Sequence, residues 1–181
     1  MQHAQQQFNC PGYYIRAAST PWELYGAADL RRRVFVEEQQ IFSGNDRDDI
    51  DRVATPLVAL STYAHEADAV VGTVRIHQPE PGLWWGSRLA VDRDFRQVGR
   101  LGAELIRLAV RTAQTQGCHT FLAHVQSQNV VLFRRLHWQP LEVVMLQGVE
   151  HMKMQADLAY YPPLADPAAG WYHPVRRRIG G

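Results

Sequence analysis

Leu89-Ala90-Val91-Asp92-Arg93-Asp94-Phe95-Arg96-Gln97-Val98-Gly99-Arg100-Leu101-Gly102-Ala103-Glu104-Leu105-Ile106 is the stretch on which the reading of this chain turns. An apolar, strand-like run leads into a basic turn containing glycines, and the turn opens a helix. The N–H groups at a helix start have no intrahelical acceptor and carry partial positive charge. Glycine lets an anion approach that backbone closely. Arg96 and Arg100 add formal charge. The combination suits a diphosphate. The competing reading is a strand–turn–helix connection whose glycines only shape the turn, and so short a glycine pattern leaves both open. No Gly-Lys-Ser/Thr follows, which excludes a Walker loop, and the spacing is not the dinucleotide Gly-x-Gly-x-x-Gly.

Outward from this stretch, the patterning predicts a helix over Leu101 to Gln116, stopped by Gly117, a strand over Phe121 to Val125, and a short helix over Gln128 to Leu136. Strands at Leu141 to Leu146 and His151 to Ala156 follow. Upstream, Tyr13 to Ala17 reads as a strand. Thr20, Pro21 and Glu23 read as a capping box with proline at the first helical position. That helix is expected to run to about Gln40, with Leu24, Ala27, Ala28, Val34 and Phe35 as its apolar stripe. Ser43 to Asp46 ends it, and an acidic stretch continues to Asp51. Strands at Leu57 to Tyr63, Val70 to His77 and Trp84 to Val91 come next, with Pro79, Pro81 and Gly82 marking the last turn. The order β, α, β, β, β, α, β, α, β, β implies an α/β fold of the α+β type, a mixed sheet with helices on both faces. Residues 1–11 are expected to form a flexible tail and 12–160 one domain. Residues 161–181, rich in Pro and Gly and ending in Arg176-Arg177-Arg178, are expected to form a second tail.

The chain has 181 residues and a formal net charge of +1, so bulk electrostatics offers nothing to nucleic acid or a membrane surface. Cys10 and Cys118 are too few and too far apart for a disulfide framework or zinc cluster, and no other His/Cys/Asp spacing suggests a metal. No apolar run approaches the ~20 residues of a membrane span. Met1 to Gln7 lacks the basic start and apolar core of a signal peptide. A cytoplasmic protein, monomeric or homodimeric, is the expectation.

The opening stretch resembles the acetyl-CoA motif of the GNAT superfamily of acyl-CoA N-acyltransferases, Q/R-x-x-G-x-G/A. Gln97 falls at the first position and Gly102 at the last, with Arg100 where the family prefers Gly. The resemblance spans about Tyr13 to Asp157. Runs such as "WWGSRLAV", "GCHTFLAHVQ" and "FRRLHWQPL" look like an uncharacterised bacterial branch often encoded beside nitrilase-like genes. It implies a GNAT-like, mostly antiparallel sheet of six to seven strands. It implies acetyl-CoA as co-substrate: Gln97, Val98, Gly99, Arg100, Leu101, Gly102 and Ala103 would hold the pyrophosphate, and Leu89, Ala90 and Val91 would pair with the pantetheine amides. Gln126 to Trp138 resembles the family's next motif, with Gln126 at its Asn and Phe133 at the Tyr that often protonates the leaving thiolate. Without that phenol, another group protonates the thiolate or it leaves unaided.

Arg31-Arg32-Arg33-Val34-Phe35-Val36-Glu37-Glu38-Gln39 places Arg31 and Glu38 on one helix face. With Asp46, Asp48, Asp49 and Asp51 it resembles a GNAT subgroup and has an echo in the acyl-homoserine-lactone synthases. Glu38 could take a proton from a substrate ammonium, or Arg31 and Glu38 could simply form an ion pair that fixes the helix. The acidic stretch reads more readily as a solvated turn than as a cation site. Strand alternation sets Trp85, Ser87, Leu89 and Val91 on one face and Trp84, Arg88 and Ala90 on the other. One Trp is expected in the core and the other at an acceptor pocket. His124, near a strand end, is a second candidate base, with a hydrogen-bonded structural role as its alternative. His77 and Arg75 are weaker candidates.

The expected activity is direct attack of a small-molecule amine on acetyl-CoA, with Glu38 or His124 as base and Arg31, Trp85 and Ser87 at the acceptor. The alternatives are a non-catalytic acyl-CoA-binding or regulatory module and, further off, an acyl-homoserine-lactone-type synthase.

Overall fold

A computed structural model describes residues 10–175; most of the expected N-terminal tail and Arg176–Arg178 lie outside the described residues. The elements are β1 (Gly12–Ala17), α1 (Pro21–Arg32), β2 (Thr55–Tyr63), β3 (Glu66–Glu80), β4 (Leu83–Val91), α2 (Leu101–Thr115), β5 (Thr120–Gln126), α3 (Val130–Arg135), β6 (Trp138–Leu146), β7 (Val149–Ala156) and β8 (Trp171–Pro174). They build one sheet of eight strands in the order β6-β7-β5-β4-β3-β2-β1-β8. Every pair is antiparallel except β4 with β5.

Helix α1 starts where its cap residues place it. Thr20 is extended, Pro21 takes the first position, and the Glu23 carboxylate turns back to accept from the N–H groups of Ser19 at 2.7 Å and Thr20 at 3.3 Å. Glu23 is fully buried and also receives Arg16 Nη2 at 2.6 Å. The buried stripe is Ala27, Leu30, Val34 and Phe35, laid on Val58, Leu60, Val70 and Ala90. Leu24 and Ala28, expected in that stripe, lie off it, and Leu24 is exposed. From Arg33 to Glu38 the helix widens into a π-helical turn, with Gln39 N–H bonded to Val34 O at 2.9 Å. On the opposite face α2 buries Leu101, Leu105, Leu108 and Ala109 against Tyr13, Ile15, Leu57, Val74, Ile76 and Trp84, forming the larger core.

Three expectations are corrected. The segment after Tyr161 is not a tail through its described length. Tyr161 is buried, accepts from Trp138 Nε1 at 3.2 Å and donates to Leu136 O. Further on, β8 pairs antiparallel with β1, Ile15 opposite Trp171, which makes eight strands rather than six to seven. Two side chains of α2 draw it in: Glu104 Oε2 accepts from the Trp171 indole at 3.1 Å, and the Arg111 guanidinium lies 5.5 Å from its ring. The alternation along β4 also breaks. Arg75 faces Ser87 but Thr73 faces Ala90, so the register slips at Arg88 and Leu89, and Arg88 has φ +55°. This bulge reverses the parity of the strand. Trp84, Leu89 and Val91 belong to the α2 side, whereas Ala90 lies under α1.

Replacing Glu23 with Ala strips two backbone donors and Arg16 of their acceptor. The expected loss is about 2–3 kcal/mol in urea unfolding, with a fall in helical signal; an unchanged midpoint would contradict this account of how α1 starts.

Candidate active site

Strands β4 and β5 are parallel partners only from Leu83–Thr120 to Gly86–Ala123. Beyond that rung the bulge at Arg88 carries β4 along β3, while β5 continues along β7. Ser87 and His124 are the first residues past the separation, and Leu89 to Val91 have no partner on the β5 side. A cavity of about 600 Å³ passes through this fork. On the α2 side its wall is apolar, with Ile106, Ala109, Phe121, Phe133 and Trp138; Phe133 is buried edge-on against Trp138, ring centres 5.0 Å apart. On the α1 side the wall carries Phe42, Asp48, Arg75, Trp85, Ser87, Arg88 and His124. Extended backbone with unpaired edges on an apolar channel is what a chain with amide groups can join as an added strand.

The turn after β4 adds the anion half. Asp92 Oδ1 accepts from Asp94 N–H at 2.9 Å and shapes its first part. Gly99 and Arg100 are both left-handed, with φ +70° and +52°, and Arg100 is the N-cap of α2. Gly99 needs its missing side chain twice over, since a Cβ there would stand 2.8 Å from the Tyr13 ring. Among the described residues, nothing accepts from the N–H groups of Gly99, Arg100, Leu101, Gly102 or Ala103. Five successive free donors beside Arg96 and Arg100 could hold a diphosphate. The left-handed cap also explains why glycine suits position 100: a side chain there costs about 1 kcal/mol. Arg96 itself is engaged, with Nε on Val91 O at 3.1 Å and Nη2 on Glu38 Oε2 at 2.6 Å.

The acidic stretch is not a solvated turn. Asp46, Asp48 and Asp51 fold back onto Arg31, Arg75 and Arg88. Arg31 holds Asp46 at 2.7 Å and Asp51 at 2.7 and 3.1 Å. Arg75 holds Asp48 at 2.6 and 2.9 Å and donates to Ser87 Oγ at 2.8 Å. Arg88 donates to Asp46 Oδ2 at 3.0 Å and to Asp48 Oδ2 at 3.3 Å, with its guanidinium 4.5 Å from the Phe42 ring centre. Three cations and three anions leave the wall neutral yet strongly polar. Hydrogen bonds from Arg75 hold the Asp48 carboxyl below the usual range. Burial would raise that of Asp51, but hydrogen bonds from Arg31, the Asp48 backbone and Arg75 outweigh it and set it well below.

The expected Arg31–Glu38 pair does not form. Arg31 stands behind the wall as its anchor and is not among the cavity-lining residues, and Glu38 sits outside the cavity on Arg96. Trp85, Ser87, Leu89, Phe133 and His124 do line the cavity. The His124 ring lies 4.7 Å from that of Trp85. Burial, followed by His151 and Lys153, lowers its pKa below the ordinary histidine value. His77 also lines the cavity, its pKa lowered by burial and Arg75, and its buried Nδ1 has no partner among the described residues. Arg88 and Phe42 also line the wall, beyond the residues expected from the sequence. The signal for Arg88 was present, since three arginines destined for buried positions need as many carboxylates, and the acidic loop supplies them.

The model of the acetyltransferase (GNAT) family matches residues 22–137. The uncharacterized protein YyaT of Bacillus subtilis (strain 168) is 23% identical over 146 residues, 80% of this chain and 96% of that one. The fold is similar to an acyl-CoA N-acyltransferase from Pseudomonas aeruginosa, with TM-score 0.63 and 20% identity over 80% of this chain and 98% of that one. It is also similar to BjaI, a CoA-dependent acyl-homoserine lactone synthase solved with SAM and isopentyl-CoA. There the TM-score is 0.62 and the identity 21%, over 81% of this chain and 84% of that one.

Two substitutions test the site as built. Arg31→Met leaves Asp46 and Asp51 short of their cation and is expected to cost about 3 kcal/mol. Because Asp48 and Asp51 have depressed folded-state pKa values, their contribution is full above the unfolded carboxylate value near ~4 and is lost as pH falls below it. Wild-type stability should therefore drop on acidification below about pH 5, and the variant should lose this dependence in part, as read by urea unfolding across pH. Arg100→Gly relieves the left-handed cap and should gain about 1 kcal/mol; a loss would show that the Arg100 side chain contributes more than its backbone costs.

Proposed function

This chain belongs to the acetyltransferase (GNAT) family, and from that premise we propose that it is an N-acetyltransferase which transfers the acetyl group of acetyl-CoA to the amine of a small molecule by direct attack. The observation that carries the reading is the fork. Leu89 of the unpaired β4 backbone and the imidazole at the vertex line one cavity, and the same strand runs on into the turn whose N–H groups are free. Acyl-CoA supplies the activated acyl group. Gln97 to Ala103 offer donors and positive charge to its diphosphate, and Leu89, Ala90 and Val91 offer edge hydrogen bonds to its arm. Phe133 and Ile106 exclude water behind the thioester.

The acceptor enters from the α1 side, over Trp85 and the neutral Arg/Asp wall. His124 is the base. Its depressed pKa keeps it neutral at pH 7, so it can take the proton an attacking amine must lose. His124 belongs to the cavity wall and Glu38 does not, which favours His124 for this role. Ser87, held by Arg75, and Trp85 orient the acceptor; Arg31 acts through the wall it anchors.

A second reading, transfer of a longer acyl chain, draws support from the apolar depth on the α2 side of the fork. A thiol-release assay with acetyl-, butyryl- and hexanoyl-CoA against a panel of amines and amino acids separates the two. Fastest release with acetyl-CoA supports the first reading. Fastest release with hexanoyl-CoA supports the second. Binding without turnover against any acceptor leaves a non-catalytic acyl-CoA-binding module.

His124→Ala should lower kcat about 10²-fold with little change in acetyl-CoA binding. In the wild type kcat/KM should fall only below the ordinary histidine pKa of about 6.5, as the imidazole protonates, and the variant should lose that limb. Full turnover by His124→Ala would remove His124 from the mechanism.

A further inference from the structure

Glu38 and Gln39, adjacent residues where the π-helical turn ends, reach to opposite arms of the fork. Glu38 Oε2 accepts from Arg96 Nη2 at 2.6 Å, on the turn that follows β4. Gln39 Oε1 accepts from Gln126 Nε2 at 2.9 Å, on the last residue of β5. One short piece of chain thus ties together two strands that have ceased to pair. The same segment is fastened at its start, where Arg33 Nη1 donates to Asp92 Oδ2 at 2.8 Å. Its own backbone is wound in the wider π pattern, with Gln39 N–H on Val34 O at 2.9 Å, and Ile41 N–H on Phe35 O at 2.9 Å closes the turn after it. That geometry is marginal in isolation and persists when tertiary contacts hold it.

Arg96 is the component this tie shares with the anion turn. Its Nε stays on Val91 O, which anchors the guanidinium to the turn while its Nη side faces Glu38. A diphosphate lying on the free donors of Gly99 to Ala103 would present more charge and more acceptor oxygens to the same guanidinium. Two anions competing for one cation repel each other, so the partner of Arg96 determines what happens to Glu38.

We propose that Glu38 and Gln39 form a clasp across the fork, which the diphosphate of acyl-CoA releases by taking Arg96 from Glu38. The clasp rests on the acyl-CoA reading given above. It makes Glu38 and Gln39 positioning residues and gives the reaction an order. The donor binds first, the turn holding Gln39 in the cavity wall loosens, and the acceptor side opens second.

The test is calorimetric titration of acetyl-CoA into the wild type, Glu38→Gln, Arg96→Gln and the double variant, with hydrogen exchange at Gln39 and Ile41 as second readout. Glu38→Gln should tighten acetyl-CoA binding about two- to fivefold, the scale of an exposed ion pair. Arg96→Gln should weaken it, and the gain from Glu38→Gln should shrink in the Arg96→Gln background. Acetyl-CoA should speed exchange at the Gln39 and Ile41 amides of the wild type, while S-acetylpantetheine, which lacks the diphosphate, should not. A merely structural Glu38 would lower stability without tightening binding. Unchanged or weaker binding by Glu38→Gln, or the same exchange response to S-acetylpantetheine, overturns the clasp alone. Failure of the wild type to bind acetyl-CoA overturns the functional reading and the clasp with it.

Discussion

The backbone of Arg88 is the constraint on which the site depends. A left-handed residue in the middle of a strand is unfavourable for anything but glycine, asparagine or aspartate, and here an arginine adopts it. The extra residue does three things at once. It ends the pairing of β4 with β5 after Gly86, which opens the fork. It reverses the side-chain parity, so Leu89 and Val91 turn toward α2 while Ala90 packs beneath α1. It also aims the Arg88 guanidinium at Asp46 and Asp48, so the ion pairs hold in place the conformation that opened the sheet. Strain in the backbone and charge in the side chain fix each other.

The neutral wall beside the fork follows from the same economy of charge. Arg75 is almost wholly buried, and an unpaired guanidinium there would cost several kcal/mol. Asp48 and Asp51 answer it from a loop with little regular structure, which they give its shape. The wall presents fixed dipoles and no net charge, an environment suited to orienting a polar molecule without trapping an ion.

Local chemistry wrote much of this fold into the sequence. Proline and glutamate at the start of α1, Gly117 after α2 and alternating apolar runs along β1 to β5 are decided by neighbours a few residues away, and the elements lie where those neighbours place them. The turn that opens α2 was legible for the same reason, because Gly99 acts through its own backbone. Partner choice was not. Arg31 lies two helical turns from Glu38, yet bonds to aspartates that only the folded loop brings near. The parity of β4 depends on a bulge that no alternation pattern announces. Trp171 joins the sheet through Glu104 and Arg111, far back in the chain. His124 could be placed at a strand end, but its position at a fork vertex required knowing where β4 and β5 part.

The eighth strand sets a timetable. Of the described strands β1 leaves the ribosome first, and β8, which covers one of its edges, leaves it last. An uncovered edge is a template for pairing with other chains, so a nascent chain carries that exposure from the synthesis of β1 to that of β8. That edge of β1 is not covered until translation has passed Pro174, when the short β8 takes its place at the end of the sheet. Closure by so distant a segment is slow relative to the local hairpin of β2 and β3, which makes the first strand dependent on the last for its protection.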